Sequence, residues 1–391
     1  VIGNREDGEE REDGENNSSN PRLPPSPPSP IITHYPLPIT HYQFLMKLPT
    51  TSTAKTLGDW AYLGIQKHLK KILKQEADVI EDRDPEALHQ MRVGMRRLRS
   101  AVTGFAPALD LPESAQERQI GKIARTLGKL RDLDVLKEAL EKQYKPNLPK
   151  EEQKVLEKAL TYLDKRRDKA LEQVRETLKD KSYKQFKQSL KAWLEEPQYH
   201  AIAQLPIQEV LPDLLLPSVS HFLLHPAWLV ATQAEETEIK PLKDLSHEAV
   251  EEQIAMHGEI LHDLRKEAKR VRYQMELFTD FFGLTYTAFL QDIQNIQEIL
   301  GQSQDSLVLA EFLTEAIGAD TTKQLPTLAK QLAETRYKMW QQWQTLQMRY
   351  LNSHIRHSFR SELLLPSKEP RNEQVTENHD ALNGVVNSSG I

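Results

Sequence analysis

Cysteine is missing from the 391-residue chain, which excludes disulfide bonds and metal sites built on thiolates. The first thirty residues also lack the basic and apolar segments of a secretory signal peptide. The most apolar stretch, residues 210–231, contains Asp213, Pro212 and Pro217, so it predicts a buried helix rather than a membrane span. We therefore expect a cytoplasmic protein that has no membrane partner.

Sequence patterns of common catalytic sites are also missing. The chain contains no P-loop, no GxGxxG, no HExxH and no convincing nucleophile arrangement. These absences disfavour nucleotide hydrolysis, dinucleotide chemistry and metalloprotease activity. We expect a protein that is not an enzyme and that needs no cofactor.

The formal net charge of −6 is distributed unevenly. Residues 1–45 hold seven acids and three bases, and residues 366–391 hold four acids and two bases. The remaining chain is therefore neutral overall, although it contains two dense basic runs. Acidic residues must balance these basic runs, and we expect these acids to lie away from the runs on the surface. This distribution indicates a localised anion site rather than a generally basic surface.

Both ends of the chain lack a periodic apolar pattern. Residues 1–53 are acidic and then proline-rich, and residues 366–391 are polar, which predicts disordered tails. Met46 precedes the first strong helical pattern. We expect translation to start naturally at Met46.

One stretch occurs twice in the body of the chain. Residues 88–99 read LHQMRVGMRRLR, and residues 261–272, which lie 173 positions later, read LHDLRKEAKRVR. On a helix the leading histidine and three of the cations in each copy fall within about 80° of arc and form a stripe about 15 Å long. The stripe residues are His89, Arg92, Arg96 and Arg99 in the first copy, and His262, Arg265, Lys269 and Arg272 in the second.

The repeat preserves a buried face as well as a charged one. Asp84 and Pro85 provide the N-cap and first position of the first copy's helix. The apolar positions have helical spacing; they are Leu88, Met91, Met95, Leu98, Val102 and Phe105, matched by Leu261, Leu264, Ala268, Val271, Met275 and Phe278. The same register aligns LGKLRDLDVL at 127–136 with LGQSQDSLVL at 300–309. Gly128 thus matches Gly301, and Asp132 matches Asp305.

The periodicity predicts an all-α fold with long helices at about 57–80, 150–195 and 322–359. We expect two helical bundles related by the internal repeat, one in residues 54–200 and one in residues 201–365. Pro197, Pro206, Pro212 and Pro217 cluster between them and mark the connection.

The basic stripes have the chemistry of an anion site. Arginine offers a planar fork of donors that suits phosphate oxygens, and lysine adds a compact charge. A single cationic stripe is usually a solvated surface or pairs with acids, but its duplication at fixed register favours a site. Lys122, Arg125 and Lys129 extend it in the first half, whereas the second half has Asn295, Glu298 and Gln302. We therefore expect an asymmetric site that is stronger in the first half.

These residues resemble the two half-motifs of the CHAD family, the conserved histidine α-helical domain. HQMRVGMRRLR followed by LGKLRDLDV, and HDLRKEAKRVRY followed by LGQSQDSLV, carry the resemblance over roughly residues 56–360. It implies two four-helix bundles with pseudo-twofold symmetry, whose motif helices line a basic cleft or pore. It also implies binding of inorganic polyphosphate and association with polyphosphate granules.

The resemblance also implies which residues bind the polyanion. They are His89, Arg92, Arg96, Arg97, Arg99, His262, Arg265, Lys266, Lys269, Arg270 and Arg272. Arg131 is a weaker candidate because the matching position is Gln304. Some family members carry a triphosphate-tunnel catalytic domain with an ExExK strand. Here the string Glu236, Glu238 and Lys240 is followed by Pro241, which predicts an acidic loop between helices.

Two other ligand classes and a metal are alternatives to polyphosphate. A metal at His89 and His262 is disfavoured because the surrounding cations repel it. Nucleic acid is disfavoured because Tyr273 is the one aromatic residue that adjoins a stripe. A scaffold for acidic or phosphorylated proteins remains open.

Overall fold

The structure is a computed structural model that describes residues 49–235, 238–318 and 321–366. The predictions for the two tails and for translation from Met46 fall almost entirely outside these residues. Within the described ranges, no helix is both long and apolar enough to span a bilayer.

The predicted all-α class is confirmed. The first half contains α1 (Leu57–Glu81), α2 (Pro85–Gly104), α3 (Glu117–Glu138), α4 (Lys150–Lys179) and α5 (Lys181–Glu195). The second contains α6 (Ile207–Leu223), α7 (His247–Glu276), α8 (Leu284–Ile317), α9 (Thr321–Gln324), α10 (Pro326–Leu351) and α11 (Ser353–Leu363). A short hairpin pairs β1 (Thr232–Glu235) antiparallel with β2 (Glu238–Pro241).

The helices that carry the two copies of the repeat, α2 and α7, each begin at a capped residue, and the N-cap predicted at Asp84 is confirmed. The Asp84 side chain accepts a hydrogen bond from the backbone N–H of Glu86 at 2.8 Å, and Pro85 opens α2. The Ser246 hydroxyl accepts from the backbone N–H of Ala249 at 3.2 Å and caps α7. These caps satisfy backbone donors that the first turn of a helix leaves unpaired.

The helices pack mainly with their neighbours in sequence. In the first half α2 packs on α1 and α3, and α3 packs on α4; in the second half α8 packs on α7 and α10. Contacts of α2 with α7 and of α4 with α8 join the halves. All twelve apolar positions predicted for the repeat helices are buried. This burial fixes the rotation of α2 and α7, so their charged faces point away from the core.

Two hydrophobic clusters each draw on both halves. One contains Leu88 together with Leu261, and the other joins Leu156 to Phe312. The halves therefore share their cores. The boundary at residue 200 and the pseudo-twofold relation stay predictions.

Pro212 and Pro217 lie inside α6, which agrees with the buried helix predicted within residues 210–231; the buried side chains around them hold the helix against α7 and α11. One local prediction needs correction. Glu238 and Lys240 lie in β2 rather than in a loop, and the Lys240 ammonium pairs with Glu235 at 3.0 Å and Glu238 at 3.3 Å. Strands of four residues are too short to give a clear alternating pattern.

Candidate anion-binding groove

A cavity of about 1170 Å³ lies between α2 and α3 on one side and α6 and α7 on the other. Eight cationic side chains line it: Arg92, Arg96, Arg99, Arg125, Lys129, Lys266, Lys269 and Arg270. Four acids also line it: Asp110, Glu117, Asp132 and Glu267. Together these side chains give the lining a formal charge of +4. We refer to this cavity as the groove.

The two repeat helices meet at this groove. The guanidinium carbon of Arg96 on α2 lies 4.7 Å from the ring centroid of Tyr273 on α7, and that of Arg272 lies 5.8 Å from it. Tyr273 is buried, so its ring offers Arg96 a desolvated cation–π contact. Arg96 of the first stripe therefore contacts α7 directly.

Several donors of the stripes are buried without a partner. The Nε atoms of Arg96 and Arg265 and the Nδ1 atom of His262 have no hydrogen-bond partner among the described residues. Burial is the main cause that lowers the pKa of Arg96, and Arg92 and Arg272 act in the same direction. A buried donor without a partner costs free energy. Of the three residues, Arg96 lines the groove, whereas Arg265 and His262 lie outside its lining.

Lys269 lies where the positive charges of both copies converge. Burial, followed by repulsion from Arg96, Arg92 and Arg265, lowers the pKa of Lys269 to about 8. The lysine therefore holds its proton weakly in the free protein. A nearby anion stabilises the protonated form and raises this pKa.

Acids lie within the groove, and the expectation that they would lie elsewhere is wrong. Asp132 on α3 lies 3.3 Å from an Nη atom of Arg92. Glu117 pairs with Arg99, and Glu267 pairs with Arg270. Two further cations of the predicted site pair along α7: Lys266 with Asp263, and Arg272 with Glu276 at 2.8 Å. The α7 pairs have i,i+3 or i,i+4 spacing, which the sequence already contained.

The remaining predicted site residues lie outside the lining of the groove. They are His89, Arg97, Lys122, Arg131, His262, Arg265 and Arg272. Arg97 is turned toward α1, where burial and then Arg97 lower the pKa of His68 to about 3. Lys122 lies near Asp180, whose pKa it helps to lower. The structure does not bring Arg97 or Lys122 to the groove.

The two stripe histidines are held in their neutral form by their surroundings. Burial is the largest cause that lowers the pKa of His89, and Arg131 adds repulsion. Burial also leads for His262, followed by repulsion from Lys266 and Arg265. Neither histidine is positioned to attract a metal cation. Within the described ranges, no group of three or more histidine or acidic side chains is arranged to hold a metal ion.

The third helix of each half differs as predicted. Arg125 and Lys129 of α3 line the groove. Their counterparts in α8, together with Asn295, instead line a separate cavity of about 370 Å³ beside α10. Glu298 is the one charged side chain of that lining. The cationic extension is therefore confined to the first half.

Comparisons with known proteins agree with this architecture. The family described as CHAD domain matches residues 63–314. No curated protein matches the chain. The crystal structure of the CHAD domain from the plant Ricinus communis has a TM-score of 0.51 and 22% identity, and covers 85% of this chain and 100% of that one. PptA from Streptomyces chartreusis has a TM-score of 0.51 and 16% identity, with coverages of 75% and 99%. Because the sequence identities are low, these two comparisons show that the chain shares the fold of these structures.

Proposed function

The chain belongs to the CHAD domain family, and from that premise we propose that it binds inorganic polyphosphate in the groove. The family is associated with polyphosphate binding. In this proposal the polyanion lies between α2 and α7 and contacts cations of both repeats. Its phosphates replace carboxylates such as Asp132 and Glu117 as partners of the arginines.

One observation carries the proposal: cations of both repeat helices line one cavity. Arg92, Arg96 and Arg99 come from α2, and three further cations come from α7. Like charges at this density repel one another, which costs the free protein stability. An extended anion with about one charge per phosphate relieves that repulsion along its whole length.

We propose binding without hydrolysis, in the cytoplasm and at polyphosphate granules. The two serine hydroxyls of the groove are engaged with the backbone: Ser100 donates to the carbonyl of Arg96 at 3.1 Å, and Ser218 to that of Leu215 at 3.0 Å. Tyr273, which is the one Phe, Tyr or Trp of the groove lining, is covered by Arg96. These contacts favour an anion over a reacting substrate or a stacked base.

A competition assay tests the ligand class. We expect unlabelled long-chain polyphosphate to displace a labelled polyphosphate, whereas single-stranded DNA and an acidic peptide of equal total charge displace it poorly. By analogy with single-stranded nucleic acid, five to nine phosphate contacts give a slope of about −4 to −6 in log affinity against log salt. Equal displacement by DNA would point to a nucleic-acid binder, and stronger displacement by the peptide to a protein scaffold.

Affinity should fall as the pH rises from 7 to 9. The bound anion raises the pKa of Lys269 above its free value of about 8, so the complex holds more protons than the free protein in this range. By linkage, affinity decreases about tenfold between pH 7 and 9. Below neutrality, protonation of His89 and His262, whose pKa values are lowered in the free protein, should strengthen binding further. Calorimetry in buffers of different ionisation enthalpy measures the proton uptake.

Lysine-to-arginine variants test whether Lys269 causes the fall of affinity at alkaline pH. Lys269→Arg keeps a charge that does not titrate below pH 9 and should remove the alkaline fall. Lys129→Arg is the matched control elsewhere in the groove and should keep it. An affinity that is independent of pH between 7 and 9 in the parent protein would contradict contact between Lys269 and the anion.

A further inference from the structure

Two glycines occupy interior helix positions at the same register of the repeat. Gly128 lies within α3 and Gly301 within α8, and both are buried. Glycine is less favourable than alanine inside a helix because it loses more backbone freedom on folding. Neither glycine has a positive φ that would require it. Their presence therefore needs a reason outside the backbone.

The reason is the space that each glycine leaves for one arginine. A Cβ atom built on Gly128 would lie 2.5 Å from an Nη atom of Arg92. A Cβ atom built on Gly301 would lie 3.0 Å from Nε and 3.2 Å from an Nη atom of Arg265. Arg92 and Arg265 are themselves matched by the repeat. In each half, the guanidinium of the first arginine of the stripe thus lies against the backbone of the following helix.

An aspartate one turn further along completes each arrangement. Asp132 follows Gly128 by four residues and lies 3.3 Å from Arg92. Asp305 follows Gly301 by four residues; burial raises its pKa, while nearby Arg265 opposes that rise. In the first half this acid pairs with the guanidinium that lies over the glycine; in the second half Asp305 lies near Arg265 on the same face of α8 as Gly301. This accounts for the matched glycine and aspartate in LGKLRD and LGQSQD.

We propose that Gly128 and Gly301 are positioning residues, which keep Arg92 and Arg265 laid across the third helix of each half and oriented toward the polyanion. The proposal rests on the proposed function for its readout in affinity. Gly128 has the larger role, because both it and Arg92 line the groove. Gly301 and Arg265 lie outside the lining, so their contribution is smaller.

Alanine variants test the proposal. Gly128→Ala should keep the fold with an unfolding midpoint equal to or above that of the parent, because alanine favours the helix and the crowded atom is the end of a flexible side chain. Its affinity for polyphosphate should fall about tenfold (~1.4 kcal/mol) as Arg92 is displaced. Gly301→Ala should cause a smaller loss.

Two other glycines of the chain provide matched controls. A Cβ atom on Gly121 of α3 would approach Arg99 and Arg125 no closer than 3.5 Å, and one on Gly258 of α7 would meet nothing within 4 Å. Gly258→Ala should leave affinity unchanged, whereas Gly121, which also lines the groove, is a control for the position of Arg92 alone. If Gly128→Ala binds as tightly as Gly258→Ala, the positioning role is overturned.

A double-mutant cycle separates positioning from a general structural effect. If Gly128 acts through Arg92, the Gly128→Ala change should have no further effect on affinity in an Arg92→Ala background. An additive loss would overturn the proposal. The Nε–Hε NMR signal of Arg92 gives a readout that needs no polyphosphate: Gly128→Ala should shift it, and Gly121→Ala should not. If the parent protein does not bind polyphosphate, the proposed function is wrong. The Arg92 signal still tests the positioning role, and an unshifted signal in Gly128→Ala would refute that role.

Discussion

Replacing Arg92 and Arg265 together by alanine is expected to weaken polyphosphate binding about a hundredfold at low salt. A hydrogen bond to a charged group contributes about 1.5–3 kcal/mol, so losing the Arg92 contact alone weakens binding about tenfold to a hundredfold. Arg265 lies outside the lining of the groove and adds a smaller part. In addition, Asp132 loses the arginine that lies 3.3 Å away and then repels the polyanion. The salt dependence should flatten by about 0.7 in slope for each lost phosphate contact.

The same double variant should remain folded. The Arg92 side chain is partly exposed, and its partner Asp132 is 70% exposed, so their pair contributes little stability. Removing two of the stripe cations also relieves repulsion. Lys142→Ala with Lys154→Ala is a control of equal charge, because these side chains are 74% and 76% exposed and lie outside the groove. Equal losses of affinity in the two double variants would mean that net charge, rather than the groove, governs binding.

Arg167→Ala is expected to lower the free energy of unfolding by about 3–5 kcal/mol. The guanidinium of Arg167 on α4 donates to both carboxylate oxygens of Asp82 at 2.9 and 2.8 Å, and to Asp134 on α3 at 2.7 Å. Asp82 ends α1 in the left-handed conformation, with φ of 53°. The Asp134 side chain is only 8% exposed. Truncation therefore leaves a buried carboxylate without its counter-charge at a point where three helices meet.

Urea denaturation measures this loss, and the neighbouring arginine provides the control. Arg166 pairs with Glu315 at 2.6 Å, but both side chains are about half exposed. Arg166→Ala should therefore unfold close to the parent midpoint. Similar midpoints for the Arg166 and Arg167 variants would show that the buried network contributes little. Replacement of Arg167 should lower stability, whereas replacement of Arg92 should lower affinity. The two measurements therefore distinguish arginines that stabilise the fold from those that bind the anion.

The sequence predicted the parts of the fold that depend on local periodicity. The buried face that begins with Leu88 and Leu261 and the start of α1 at Leu57 lie where the apolar spacing placed them, and the N-cap at Asp84 lies where residue type placed it. The difference in charge between α3 and α8 could also be predicted, because it depends only on the residue types at matched positions. These features require only the 3.6-residue period and knowledge of which face must be buried.

The features that escaped prediction depend on partners distant in sequence. Glu117 and Asp132 enter the groove because α3 packs beside α2, which no local pattern specifies. Arg97 belongs to the same basic run as Arg96, yet one residue turns a helix by about 100°, and it points to α1 instead. The match of Gly128 with Gly301 was visible, but its meaning required the position of the Arg92 guanidinium.

The central claim is that one polyanion contacts both repeat helices. The most direct test is a crystal structure of the protein with polyphosphate of defined length. We expect a continuous phosphate chain in the groove, within hydrogen-bond distance of Arg92 and Arg96 on α2 and of Lys269 on α7. A chain bound to the outer surface, or to one repeat helix alone, would contradict it.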